Sequence, residues 1–224
     1  MLKGPIEGTE VVDPTAMLLT ILGLIDRCWK VDLQLQNLYQ SMEGEAVGPL
    51  YWPELSTDSQ RINDEELENV FPVAFKFLDM WTAHTCMFFW ATTIIHWSGM
   101  TYTYKLLSEI QVSYSTNANK TADKAPPQFN ITQLRTLGHR IDVATPARNI
   151  CQSIEFCLGE EFAGVGARAA TFPLKVAIEA LNDAPGCEQE LEWAQAAVTR
   201  LSQSGVRALK HLPVAMTDHV YIPV

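Results

Sequence analysis

The sequence predicts an all-α fold: a single multi-helix domain with two long amphipathic helices and several shorter ones. Three observations carry this expectation. Apolar residues recur at three- to four-residue spacing over long stretches. Clusters of Gly and Pro separate those stretches. No run of alternating β-branched residues marks a strand. Hydrophobic residues make up 47% of the 224 and charged residues only 19%, so the chain can bury one substantial core and does not have a disordered composition.

Residues 1–14 read as a flexible N-terminal segment, 15–212 as the helical domain and 213–224 as a C-terminal tail. Asp13-Pro14-Thr15 is a helix start, with Pro tolerated in the first turn and Asp or Thr able to cap. Beyond it Leu18, Leu22, Ile25, Trp29, Leu35, Leu38 and Met42 line one side of a long helix. Gly44, Gly48, Pro49 and Pro53 mark a loop. Asp64-Glu65-Glu66 suits an acidic first turn and reads as a solvated patch.

Pro72 is expected to open the second long helix, running through Phe75, Leu78, Trp81 and Phe88 toward Met100 or beyond. The stretch 113–132, rich in Ser, Thr, Asn and Pro, reads as a flexible loop. Its Asn130-Ile131-Thr132 matches a glycosylation acceptor, which has no consequence without a secretory route. Shorter helices are expected from Pro146 to about Leu158, from Pro173 to Leu181 and from Glu188 to Ser204. Gly159, Gly164, Gly166, Pro185-Gly186 and Gly205 separate or end them.

Charge and cysteine usage exclude several function classes. The formal net charge is −10 with only 16 Lys and Arg, whereas duplex binding needs a concentrated cationic face, so no nucleic acid is expected as a direct partner. The five cysteines, Cys28, Cys86, Cys151, Cys157 and Cys187, include no CxxC pair to start a zinc site. An odd count with no basic, apolar leader predicts reduced thiols and an intracellular location, cytoplasmic or nuclear. From Met80 to Tyr104 no Asp, Glu, Lys or Arg occurs, but His84, His96, Gly99 and several Thr make that run a core helix rather than a membrane span.

Motifs for chemistry are sparse. Gly164-Val165-Gly166-Ala167-Arg168-Ala169 has the outline of a dinucleotide fingerprint, yet helix and acidic turn precede it where a strand is required. Asn182-Asp183 with Gly186 and Glu190 loosely matches a magnesium-binding pattern of terpene cyclases, but Pro185-Gly186 breaks the helix that would hold the ligands. His84 and His96, twelve residues apart, stand about 120° apart around a helix and share no metal-binding face. His211 and His219 fall in or near the tail. Neither metal nor cofactor is expected.

The surviving constellation is aromatic. Trp90 and Trp97, seven residues apart, share a helical face with Thr93, Cys86 and Met100 nearby, while Trp81, His84 and Phe88 line a neighbouring face. Such a stripe is either core or the wall of an apolar pocket. In the second case Trp81, Phe88, Trp90, Trp97 and Met100 are the ligand-binding candidates. Asp79, His84, His96 and Tyr102 are then the candidate acids, bases or hydrogen-bond donors.

Two stretches resemble the C-terminal effector region of fungal zinc-cluster transcription factors. One runs from Ala147 through Arg148, Asn149, Ile150, Cys151, Gln152, Ser153, Ile154, Glu155, Phe156 and Cys157 to Leu158. Phe172-Pro173-Leu174, Ala177, Glu190-Leu191-Glu192-Trp193, Leu201 and Gly205 follow it in order. The other comprises Val70-Phe71-Pro72, Phe75, Trp81 and Phe89-Trp90-Ala91. The resemblance covers roughly residues 65 to 210 and rests mostly on packing residues, so it specifies fold better than function. It implies a helical regulatory region without the six-cysteine zinc module that binds DNA. By association it also implies a place near fungal secondary metabolism. The expected partner is a small lipophilic metabolite or a protein, with a homodimer as a third option. The competing reading is a cofactor-independent cyclase or isomerase acting on a polyketide or terpenoid intermediate.

Overall fold

The structure, a computed structural model, describes residues 14–57, 70–118, 134–162 and 164–203. Asp64-Glu65-Glu66, Asn130-Ile131-Thr132, His211, His219, the residues before 14 and the tail lie outside the described residues. The described chain is mostly helical, with one two-stranded sheet. Helix α1 (Pro14–Glu45) is followed by β1 (Tyr51–Leu55), β2 (Val73–Phe77) and α2 (Met80–Ala118). Then come α3 (Ala144–Gln152), α4 (Ile154–Cys157), α5 (Val165–Asp183) and α6 (Glu188–Gln203), with short 3₁₀ turns at Gly138–Ile141 and Glu160–Phe162.

Helix α2 is the spine, packed against α1, α3 and α5. Its uncharged stretch is explained by that position: Ala83, Cys86, Met87, Trp90, Ala91 and Ile94 are buried against Ile150, Cys151 and Ile154 of α3 and α4 and Leu174, Ala177 and Leu181 of α5. Trp193, Ala197 and Leu201 of α6 complete this main core. None of the described helices is long and apolar enough to cross a membrane. A second, smaller core joins Ile21 and Ile25 of α1 to Leu107 of α2, flanked by Trp29 and Tyr104. Helices α1 and α2 run antiparallel: Tyr39 meets Phe89, Asp32 meets Trp97 and Trp29 meets Tyr104.

Three expectations are corrected. Pro72 does not open a helix. Val73–Phe77 instead forms a strand paired antiparallel with Tyr51–Leu55, in the register Tyr51 to Phe77, Pro53 to Phe75 and Leu55 to Val73. Phe75 and Phe77, two apart, share a strand face and both meet Tyr51, while Tyr51 and Phe75 rest on Trp90. Pro53 fits there because a two-stranded ribbon leaves each strand one free edge. Glu155 anchors the ribbon, accepting from the Ser56 hydroxyl at 2.7 Å and the Thr57 hydroxyl at 2.8 Å, with Lys76 at 3.5 Å. The helix starts at Met80, where Asp79 caps it by accepting from the Thr82 amide at 2.7 Å.

Second, Ser113 to Ala118 belong to α2 rather than to a loop. Polar composition does not stop a helix by itself, and no Gly or Pro intervenes between Gly99 and Pro126. The rest of the expected loop lies outside the described residues. Third, two of the three shorter helices are differently divided, while the one expected from Glu188 is found as α6. The segment from Pro146 to Leu158 begins earlier, at Ala144, and breaks at Ser153 between α3 and α4. Pro173 sits inside α5, which starts at Val165 after Gly164, whose φ of 81° is open to glycine without strain. Gly166 then lets α5 approach the Cys157 backbone. The Gly-x-Gly sequence is thus a packing device between α4 and α5, and no strand precedes it. Asp183 ends α5, and Pro185-Gly186 separates it from α6.

Candidate ligand-binding site

Between α1, α2 and the start of α3 lies a cavity of about 280 Å³. Trp90, Thr93 and Trp97 reach its wall together because spacings of three and four residues place them on one face of α2. Phe89 adds a further ring, and Leu35 and Gln36 close the side formed by α1. The chain leading into α3 contributes His139, Asp142, Thr145, Pro146 and Asn149. Asp142 serves the first turn of α3, accepting from the Thr145 amide at 3.0 Å and its hydroxyl at 2.6 Å.

One wall is built on a buried ion pair. Asp32, only 3% exposed, accepts from Arg140 at 2.7 Å and Gln36 at 2.8 Å on one oxygen, and from the Trp97 indole at 3.1 Å on the other. Arg140 in turn lies over the Trp29 ring, 4.7 Å from its centroid, with Arg135 at 4.0 Å. The Trp29 indole donates to the Tyr104 hydroxyl, which donates to the Arg135 carbonyl. A fixed polar network therefore backs this wall, with Trp97 held by its indole and His139 set edge-on against it at 5.3 Å.

Burial alone would raise the Asp32 carboxyl. Hydrogen bonds from Arg140 and Trp97, with the charges of Arg140 and His96, outweigh it and hold Asp32 below the ordinary carboxylate range. Burial lowers His96, and Arg140 lowers it further, against the opposing pull of Asp32 and a hydrogen bond with the Cys28 backbone. Both shifts give the same sign on acidification. The folded protein resists protonating His96, so stability is lost first as pH falls below the unfolded histidine value of about 6.5. Asp32 and Glu155, both depressed, contribute stability that is present above about pH 4 and is lost as pH falls through their folded values. Urea unfolding between pH 8 and 3 should therefore show two successive losses. The first should shrink in His96→Leu; an undiminished first step would overturn its assignment to His96.

The predicted site residues divide. Trp90 and Trp97 line the cavity, with Thr93 between them. Met100 and Cys86 are buried in the protein core. Trp81 is 77% exposed, and Phe88 is half-buried in an outward row with His84 and Phe172. Asp79 is the cap of α2, Tyr102 is exposed, and His96 faces α1 through Cys28 and Asp32. None of Asp79, His84, His96 and Tyr102 lines this cavity. Among the described residues no three His, Cys, Asp or Glu side chains converge to hold a metal ion. The cysteines are unpaired, and burial pushes the thiols of Cys86 and Cys157 up to about 11 and about 12, far from a reactive thiolate.

No protein-family model, curated protein or solved structure matches this chain. Sequence reasoning missed Asp32, Arg140, His139 and Asp142 at the cavity wall. Only Asp32 carried a local signal, a carboxylate on the helix side that otherwise presents Ile21, Ile25, Leu35 and Met42.

Proposed function

We propose that this chain is a ligand-responsive regulatory domain that takes a small lipophilic metabolite into the cavity between α1, α2 and α3 and does not itself contact DNA. The observation that carries this reading is the cavity, about 280 Å³, walled by Leu35, Phe89, Trp90, Trp97 and Pro146, with its polar groups fixed by their own hydrogen bonds. Binding sites for small molecules combine such apolar walls with a few placed polar atoms. The resemblance to zinc-cluster regulators supports the regulatory half of the reading. The residues that carry it, among them Ile150, Cys151, Ile154, Leu174, Ala177, Trp193 and Leu201, are the ones that build the core. A net charge of −10 supports the absence of direct DNA contact. Fungal secondary metabolism is the setting that the resemblance suggests.

His139 and Asp142 on the cavity wall favour one second reading, a cofactor-independent cyclase or isomerase using the same cavity. Native mass spectrometry of the chain purified from its producing host, compared with its denatured mass, tests both. A co-purifying small molecule is expected. If it is released chemically unchanged after incubation with the protein, the domain is a sensor; conversion into an isomer would favour the enzyme. Protein that carries only its own subunits, and shows no saturable binding of its host's lipophilic extract, would overturn both and point to a contact domain.

A further inference from the structure

The charge inventory of the cavity narrows its ligand, given the reading that a small molecule binds there. Among the described residues two carboxylates line it, Asp32 and Asp142, and no Lys or Arg does. The Asp32 charge is already compensated by Arg140, and three donors occupy its oxygens. Asp142 is different. Its donors are all local to the start of α3, the Thr145 amide and hydroxyl, one to each oxygen, and the Ala144 amide, and the exposed carboxylate keeps acceptor capacity on its open side. Arg148, whose charge favours the ionised Asp142, is itself bonded to Glu190 through two nitrogens at 3.1 and 3.0 Å. Hydrogen bonds from Thr145 and the Ala144 amide, with the charge of Arg148, outweigh burial and hold the Asp142 carboxyl below its ordinary range, so it is ionised at neutral pH. The same cavity is lined by the rings of Phe89, Trp90 and Trp97, whose faces attract cations and repel anions.

We infer that the ligand is a protonated amine carried on an apolar ring system, with its ammonium at the Asp142 carboxylate and its body against Leu35, Phe89, Trp90 and Trp97. A carboxylate or phosphate would meet the charge of Asp142 with no Lys or Arg among the described lining residues to answer it. A neutral lipophile would gain the apolar wall but leave Asp142 unused. The overall net charge of −10 adds a field that concentrates cations near the protein.

Three isosteric probes separate these cases: 1-naphthylmethylamine, 1-naphthylmethanol and 1-naphthoate, titrated against the full chain and followed by ligand-observed NMR. The amine should bind about fivefold more tightly than the alcohol, and the naphthoate most weakly. Asp142→Asn should abolish the amine's advantage while leaving the alcohol's affinity unchanged. Asn keeps an oxygen to cap α3, so the fold is preserved. Asp183→Asn, an exposed change at the end of α5, should leave all three affinities as they were. An alcohol or naphthoate that binds as tightly as the amine, or an advantage that survives Asp142→Asn, would overturn the charge assignment and leave the cavity reading standing. If none of the three binds, both fail.

Discussion

Asp32→Ala is expected to cost roughly 3–5 kcal/mol of folding stability, the largest effect of any single side-chain truncation considered for this protein. The reason is the partner left behind. Arg140 is only 7% exposed, and its Nε has no hydrogen-bond partner among the described residues, so without Asp32 its guanidinium keeps only the Leu137 carbonyl at 3.4 Å and the face of Trp29, and no counter-charge. The Trp97 indole and the Gln36 amide lose their acceptor in the same step. Asp32→Leu combined with Arg140→Met should recover most of the loss, because a buried pair is expensive to break and cheap to replace as a unit. Urea titrations of the two single variants and the double variant give the comparison. A double variant as unstable as the singles together would show that the pair contributes net stability.

Gly166→Ala should lower stability by about 3 kcal/mol, or about 6–12 °C in Tm for a domain of this size. A Cβ at this position would sit 2.1 Å from the Cys157 carbonyl oxygen and 2.9 Å from its carbon. Both are backbone atoms, so no side chain can rotate away and α4 must separate from α5. Gly99→Ala is the matched control, because nothing lies within 4 Å of a Cβ there. On that exposed helical turn the substitution should stabilise by about 0.5–1 kcal/mol through helix propensity alone. Equal effects at the two positions would mean that α4 and α5 do not touch as the structure has them.

The helices that the sequence announces are those with their own end signals. Asp13-Pro14 starts α1, and the Pro185-Gly186 break before Glu188 sets α6. The β1–β2 ribbon has no such signal. Five residues, Val73 to Phe77, owe their strand form to a partner segment containing Pro53 and to the rings of Tyr51 and Trp90, all distant or unfavourable on local grounds. On α2 the apolar residues run nearly all round the helix, so spacing alone can group Trp90 with Trp97 and Trp81 with Phe88. It cannot say which group faces inward. Packing against α1 and α3 decides that, and it turns Trp81 outward. The ion pair under the cavity was illegible for a different reason: Asp32 and Arg140 are 108 residues apart, and nothing near either names the other.

The antiparallel docking of α1 on α2 also sets a timetable for synthesis. Helix α1 leaves the ribosome before α2, while Phe89, Trp97, Tyr104 and Leu107, against which it packs, are still to be made. Arg140 comes 108 residues after Asp32, a delay of roughly 5–20 s at ordinary translation rates of about 5–20 residues per second. For that interval the carboxylate waits in water, and Ile21 and Ile25 have no surface to bury against. Until α2 follows, the apolar side of α1 is thus open to chaperone capture.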